Sequence, residues 1–235
     1  MYKGMYIALS GAVLKQKHMD IFAQNISNSN TTGFKKERIS FRDYLIPSDN
    51  ASGVIEDGRS MTRLSEKVTD FSHGPTLRTE NPLDLAIEGE GFFALENDRF
   101  TRNGNFKISS EGYLTTQDNI RVLGDGGPIA IDGSRIDIST SGEIFVDEIS
   151  TGNIKIVDFE DKKRLDKAEG GYFISNDPGQ EIIPAINQGY LETSNVDVMR
   201  EMVQMVTALR DFESYQKMIH AFDEASSKTI NEMGR

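Results

Sequence analysis

The chain of 235 residues contains no cysteine and no tryptophan. Without cysteine it can hold no disulfide framework, no thiolate metal site and no cysteine nucleophile. Histidine is scarce: His18, His73 and His220 lie far apart in sequence, which disfavours a histidine-based metal site. No apolar run approaches the ~20 residues that a membrane-spanning helix needs. Met1-Tyr2-Lys3-Gly4-Met5 lacks a charged region followed by a clean apolar block and a small-residue cleavage site, so no cleaved secretory signal is expected. Basic charge is also short: 26 Lys and Arg face 37 Asp and Glu, a formal net charge of -11. Nucleic acid and anionic lipid both require a basic footprint, so neither is expected as a partner.

Proline is missing from both ends. All six lie between Pro47 and Pro184, and 17 of the 21 glycines lie between Gly53 and Gly189. Ends so nearly free of breakers suit long helices. Charge divides in the same way: residues 1–45 carry net +4, residues 196–235 net -2, and the middle net -13. The expected order is therefore helix, extended middle, helix.

At the N-terminus, Met5, Leu9, Ala12, Gln16, Met19, Ala23 and Ile26 follow a 4-3 spacing, a heptad seam with one polar member. Tyr6, Ala8, Val13 and Phe22 widen it, so more than one face is available for burial. The helix is expected to stop within Ser27–Gly33, where short polar side chains compete for backbone hydrogen bonds and Gly tolerates the left-handed conformation. Phe34, Ile39, Phe41, Tyr44 and Leu45 then alternate with basic residues, as an extended arm or a second short helix. At the other end Thr193-Ser194-Asn195 offers N-cap candidates. Val198, Met202, Met205, Leu209, Phe212, Gln216 and Ile219 repeat the 4-3 pattern, and the helix is expected over Val196–Glu232. Residues 46–80 show little periodicity and read as a linker or extended excursion.

The middle reads as β. Short runs such as Phe92–Leu95, Phe100–Arg102, Phe106–Ile108 and Ile144–Val146 alternate with turn dipeptides: Asn97-Asp98, Asn103-Gly104, Glu111-Gly112, Asp118-Asn119, Ser141-Gly142 and Thr151-Gly152. Turn signals at this spacing between β-branched and aromatic runs mark a sandwich or barrel built from hairpins.

Positive signs of catalysis are lacking. Glu88-Gly89-Glu90-Gly91 and Gly124-Asp125-Gly126-Gly127 lack the Lys-Ser/Thr of a phosphate loop, and their carboxylates would repel phosphate. Asp158, Glu160 and Asp161 cluster as a solvated loop would. His18 and His220 could meet if the terminal helices pair, but surface histidines are more common. The triplets at Asn25, Asn30 and Asn50 match a glycosylation acceptor, a pattern that chance supplies often. The helical ends carry the informative signal, because helices of this length depend on burying more than one face.

Four blocks in order resemble a known family. Ala23–Lys35, with Asn25, Asn28, Asn30, Thr31, Gly33 and Phe34, resembles an Asn-rich stretch leading into Asn-Thr-x-Gly-Phe-Lys. Asn81–Phe93 resembles a second block. Phe100–Phe106, with Glu111–Leu114 and Val122–Gly124, resembles a third. Gly189–Asp197, with Ser194 and Asn195, resembles the fourth. The family is that of the axial proteins of the bacterial flagellum, specifically the basal-body rod. Ile26 and Ser29 stand where Leu and Val would be more usual.

The resemblance implies an α+β fold. Long N- and C-terminal helices would pair in a coiled-coil-like inner layer, with a central mainly antiparallel β domain outside. The expected division is 1–34 as N-terminal helix and signature loop, 35–80 as arm, 81–190 as β domain and 191–235 as C-terminal helix. The function implied is that of a non-enzymatic structural subunit of the rod, free of cofactor and metal, stacking helically and passing torque from motor to hook. Partners would be its own copies, other rod and hook axial proteins, and the flagellar type III export apparatus, with no nucleic acid and no membrane insertion. Its place would be the basal body within the periplasmic space, reached without a cleaved signal. The length favours a proximal rod protein, with a distal rod or hook-type paralogue as the alternative. The expected assembly interface comprises Met5, Leu9, Ala12, Met19, Phe22, Ala23, Ile26, Val198, Met202, Met205, Leu209, Phe212 and Ile219. Two rival readings are a glycan hydrolase with paired acids in a pocket, and an adhesin or binding module holding its β domain on a helical stalk.

Overall fold

The computed structural model describes residues 2–45, 60–183 and 185–233, and the chain divides into two compact units. Residues 46–59 of the expected arm, with the Asn50 triplet, lie outside the described residues.

The first unit holds helix α1 (Tyr2–Ser27), strands β1 (Glu37–Leu45) and β2 (Ser60–Thr69), and helix α2 (Val198–Met233). The arm after Phe34 is thus extended. β1 and β2 pair antiparallel, Glu37 opposite Thr69 and Leu45 opposite Ser60, with a bulge between Ser40 and Phe41.

The two helices run antiparallel along a stripe of small residues. A Cβ placed on Gly4 would lie 2.8 Å from the Phe222 ring, and one on Gly11 would lie 2.6 Å from that of Tyr215. Lys15 reaches Asp211 at 2.7 Å, and Asn25 meets Glu201 at 3.2 Å. Small side chains permit this approach. Two helical glycines that cost conformational entropy therefore serve as contact positions. On α2 the shielded positions run Glu201, Met205, Ala208, Phe212, Tyr215, Ile219 and Phe222. The helix begins on Asp197, whose Oδ1 accepts from the Arg200 N–H at 3.2 Å, so Asp197 is the N-cap. The expected cap candidates are committed elsewhere: Thr193 Oγ1 donates to Pro75 O, Ser194 Oγ accepts from Val196 N, and Asn195 holds Lys36.

The second unit comprises residues 28–36 and 71–196. Its largest sheet has six antiparallel strands, in the order Asp166–Lys167, Phe173–Ile174, Arg99–Thr101, Phe92–Leu95, Ile156–Asp158 and Gln180–Glu181. A three-stranded sheet joins Ile136–Ile138, Glu143–Val146 and Ile149–Asn153. Leu85–Glu88 pairs with Ala185–Gln188, and Thr76–Arg78 with Tyr190–Glu192.

Phe92–Leu95 is buried on both faces, which explains its unbroken apolar run. Phe93 and Leu95 enter the larger core with Phe106, Leu114, Ile144 and Ile156, and the Phe93 and Phe106 rings meet edge to face at 5.0 Å. Phe92 and Ala94 point the other way, into a second core with Phe100, Phe159 and Phe173. Asn97, Asp98 and Asn119 take positive φ at the expected turns. One turn escaped the sequence reading. Asp147 and Glu148, at φ 50° and 70°, join Val146 directly to Ile149. No Gly or Asn marks that turn, and the turn expected at Thr151-Gly152 lies instead inside the strand that follows, Ile149–Asn153.

Candidate functional site

The signature loop, residues 28–36, belongs to the second unit. Asn28 begins it by accepting from the Thr31 N–H at 3.1 Å and from Thr31 Oγ1 at 3.3 Å. Asn30 and Thr31 are exposed. Thr32 Oγ1 donates to Asn103 Oδ1 at 2.8 Å. Gly33 sits at φ 68°, and a Cβ there would meet the Asn103 backbone nitrogen at 2.4 Å, so conformation and space both demand glycine. Its N–H donates to Glu192 O at 2.8 Å. Phe34 is buried, with Lys167 Nζ 3.9 Å from its ring centroid.

Lys35 follows, and its side chain is 1% exposed. The ammonium donates to Ser72 O at 2.8 Å and to Glu192 Oε1 at 2.6 Å. Glu192 is 3% exposed and also accepts from the Gly74 N–H at 2.9 Å. Its other oxygen lies 3.0 Å from Arg102 Nε, a charge contact bent away from good hydrogen-bond alignment. Arg102 in turn donates to Gly91 O at 2.6 Å, to Gly89 O at 2.8 Å and to His73 Nδ1 at 2.7 Å. A guanidinium can only donate, so Nδ1 accepts and the neutral His73 ring carries its proton on Nε2. Burial draws the Arg102 pKa below its ordinary value while Glu192 works to restore it. Buried charges persist where they are paired, and here each of the two cations faces the one carboxylate, whose Oε2 has the charge contact with Arg102 in place of an aligned hydrogen bond.

Asn195 completes this cluster. Its Oδ1 accepts from the Lys36 N–H at 2.8 Å, and its Nδ2 donates to Ser72 O at 3.0 Å. In the first unit, buried Asn25 does comparable work: Oδ1 accepts from Glu37 N at 3.0 Å, while Nδ2 donates to Glu37 O at 2.9 Å and to Glu201 Oε2. Asn25 thereby ties the end of α1 to the start of β1 and the first turn of α2.

Of the expected interface residues, Ala12 is buried, and Met5, Met19, Phe22, Ile26, Val198, Met205, Phe212 and Ile219 are half-buried. Ala23 is exposed, as are Leu9 at 49%, Met202 at 47% and Leu209 at 45%. Tyr6, Ile7 and Val13 extend the open apolar surface on α1, and Met199, Val203 and Val206 extend it on α2. The pattern has one explanation for both helices. The positions seven apart (5, 12, 19, 26 and 198, 205, 212, 219) are shielded by the pairing. The interleaved shielded positions are 8, 15, 22 and 201, 208, 215, each one residue before a member of the expected 4-3 seams, although Phe22 was already among the expected interface residues. Ala8 and Tyr215 are apolar residues that flank the expected seams, whereas Lys15 and Ala208 are amphipathic or small, and an apolar count passes over those two.

Lys35, Arg102, Glu192 and His73 were not assigned a role from sequence. Three of them stand inside the quoted blocks as charges beside apolar or turn residues. Lys35 and Glu192 are 157 positions apart, and only the fold shows that they meet. Among the described residues, no helix is long and apolar enough to cross a membrane.

The comparisons with known proteins agree with one another. Residues 5–35 match the family described as flagella basal body rod protein. Residues 86–146 match the flagellar hook protein FlgE/F/G D1 domain, and residues 187–232 the flagellar basal body rod FlgEFG protein C-terminal family. Among similar curated proteins, the flagellar basal-body rod protein FlgG of Bacillus subtilis is 32% identical, with 98% of this chain and 99% of that protein covered. The rod protein FlgF of Caulobacter vibrioides is also 32% identical, over 100% of this chain and 99% of its own length. FlgG of Borreliella burgdorferi is 32% identical over 95% of the chain and 96% of its own length. Family membership implies the flagellar basal body and a structural role in its rod. The chain belongs to the flagellar basal-body rod protein family.

Proposed function

We propose that this chain is a non-catalytic rod subunit that assembles helically with its own copies and with other axial proteins. In this reading α1 and α2 pair in a coiled-coil-like inner layer, and their outer stripes meet neighbouring subunits through heterologous contacts that do not close into a ring. A stack built in that way passes torque from motor to hook. The subunit reaches the periplasmic space through the flagellar export apparatus, and its 235 residues favour a proximal position in the rod.

The observation that carries the reading is the apolar surface left open on both helices: Tyr6, Leu9 and Val13 on α1, and Met202, Val206 and Leu209 on α2. Exposed apolar side chains grouped in this way are unfavourable in water and support an interaction face there. Leu9→Asp and Leu209→Asp test it. Both positions are exposed in the single chain, so the variants should fold normally yet fail to build rods, giving non-motile cells. Retained motility in both variants would sink the assignment.

A further inference from the structure

The charge cluster around Glu192 has the geometry of a latch. Two buried cations, Lys35 and Arg102, share one buried carboxylate, and that carboxylate stands on the segment that leads into α2. The ligands of the cluster come from five separate stretches of the second unit: the signature loop, residues 72–74, the turn at Gly89–Gly91, Arg102, and the 192–195 segment. Ser72 O is shared, accepting from both Lys35 Nζ and Asn195 Nδ2. Gly33 N and Lys36 N are each held by residues of the 192–195 segment as well.

Little apolar packing reinforces this set. Phe34 is the loop's one large buried apolar side chain, whereas Asn30 and Thr31 are exposed. A segment held chiefly by polar contacts opens as a local unit, below the free energy of the core.

We propose that Glu192 is the positioning residue of the signature loop, and that residues 32–36, 72–74 and 192–195 open and close together as one cooperative latch. Neutralising Glu192 leaves Lys35 and Arg102 without their shared counter-charge in a buried site, and the loop is released while the two aromatic cores stay closed. The inference rests on the rod reading only for its purpose. Residues 28 and 196 are where the chain passes from the second unit to the helices, and a closed latch fixes both points on the β unit.

The test uses the full-length chain as a monomer, so it is independent of rod assembly. In Glu192→Gln, amide exchange at Gly33–Lys36 and at Gly74 should accelerate by about two to three orders of magnitude, the range expected when a buried ion pair loses one partner. Exchange at Phe92–Leu95 should stay as in the wild type. The Lys35 side-chain ammonium, shielded from solvent in the wild type, should give an NMR signal at neutral pH that disappears in this variant. Lys35→Met offers a second route if Glu192→Gln folds poorly. It keeps one cation against one carboxylate and should open the loop by a smaller factor. The double variant should show strong non-additivity. Equal acceleration across loop and core, unchanged loop exchange, or simple additivity would each overturn the latch.

Discussion

The helical unit and the β unit treat their large apolar side chains in opposite ways. In the β unit, Phe92 and Phe93 face two separate cores and both are at most 2% exposed, so the large side chains are enclosed by a single copy. In the helical unit, two glycines bring the helices together along their small residues, and Leu9, Val203 and Leu209 remain in contact with water. Hydrophobic burial stabilises by roughly 25 cal/mol per Å², and in α1 and α2 much of that driving force is unspent until something covers the outer stripes. The lesson is that a helix can be amphipathic toward two partners at once, with the smaller residues reserved for the nearer one.

The contrast can be broken in order of expected effect. Phe93→Ala should be the most damaging, at about 3–5 kcal/mol by denaturant titration followed by circular dichroism, because the cavity would sit among rings that cannot collapse. A loss below about 1 kcal/mol would show that the β core is not closed. Gly33→Ala should cost about 1–3 kcal/mol, combining a positive φ with a clash against the Asn103 backbone. Gly89→Ala is its control: φ is 95° there but no atom lies within 4 Å, so only backbone strain is expected and the loss should be smaller.

Gly11→Leu sharpens the comparison from the helical side. Overpacking against Tyr215 should cost about 1–3 kcal/mol, read as faster amide exchange in α1 and α2 with the β unit unchanged. Leu9→Asp, two residues away on the open stripe, should change monomer stability by no more than about 0.5 kcal/mol. If Leu9→Asp proved the more destabilising of the two, the assignment of inner and outer faces would be reversed.

The smallest effect expected is one of pH. Burial, and secondarily Lys15, lower the His18 pKa from 6.5, so the folded state binds this proton more weakly than the unfolded state. Stability of the helical unit should therefore fall as pH drops below about 6.5 and level off below the folded pKa. Thermal midpoints at pH 7.5 and 5.5 measure it, and His18→Gln should remove that part of the difference.

Much of this architecture was legible in the residues. The helix bounds followed from the absence of proline and the polar stop at Ser27–Gly33, and most turns followed from Asn, Asp and Gly. Half of the inner seam, the interleaved positions, was displaced by one residue in each helix, because hydropathy weighs Leu9 above Ala8 and Leu209 above Ala208. What the helices use at close range is the lack of a side chain. The Asp147-Glu148 turn was hidden for the opposite reason, since its left-handed residues are not those that usually signal one. The Lys35–Glu192–Arg102 cluster was illegible as a cluster, since charges are read as solvated unless their distant partners are known.

The antiparallel pairing sets Gly4 against Phe222, more than two hundred residues away along the chain. Such contacts give the helical unit a high contact order, which slows folding far more than it weakens the folded state, because closure entropy grows only with the logarithm of loop length. The first helix to be synthesised must wait for the last before its inner face is covered.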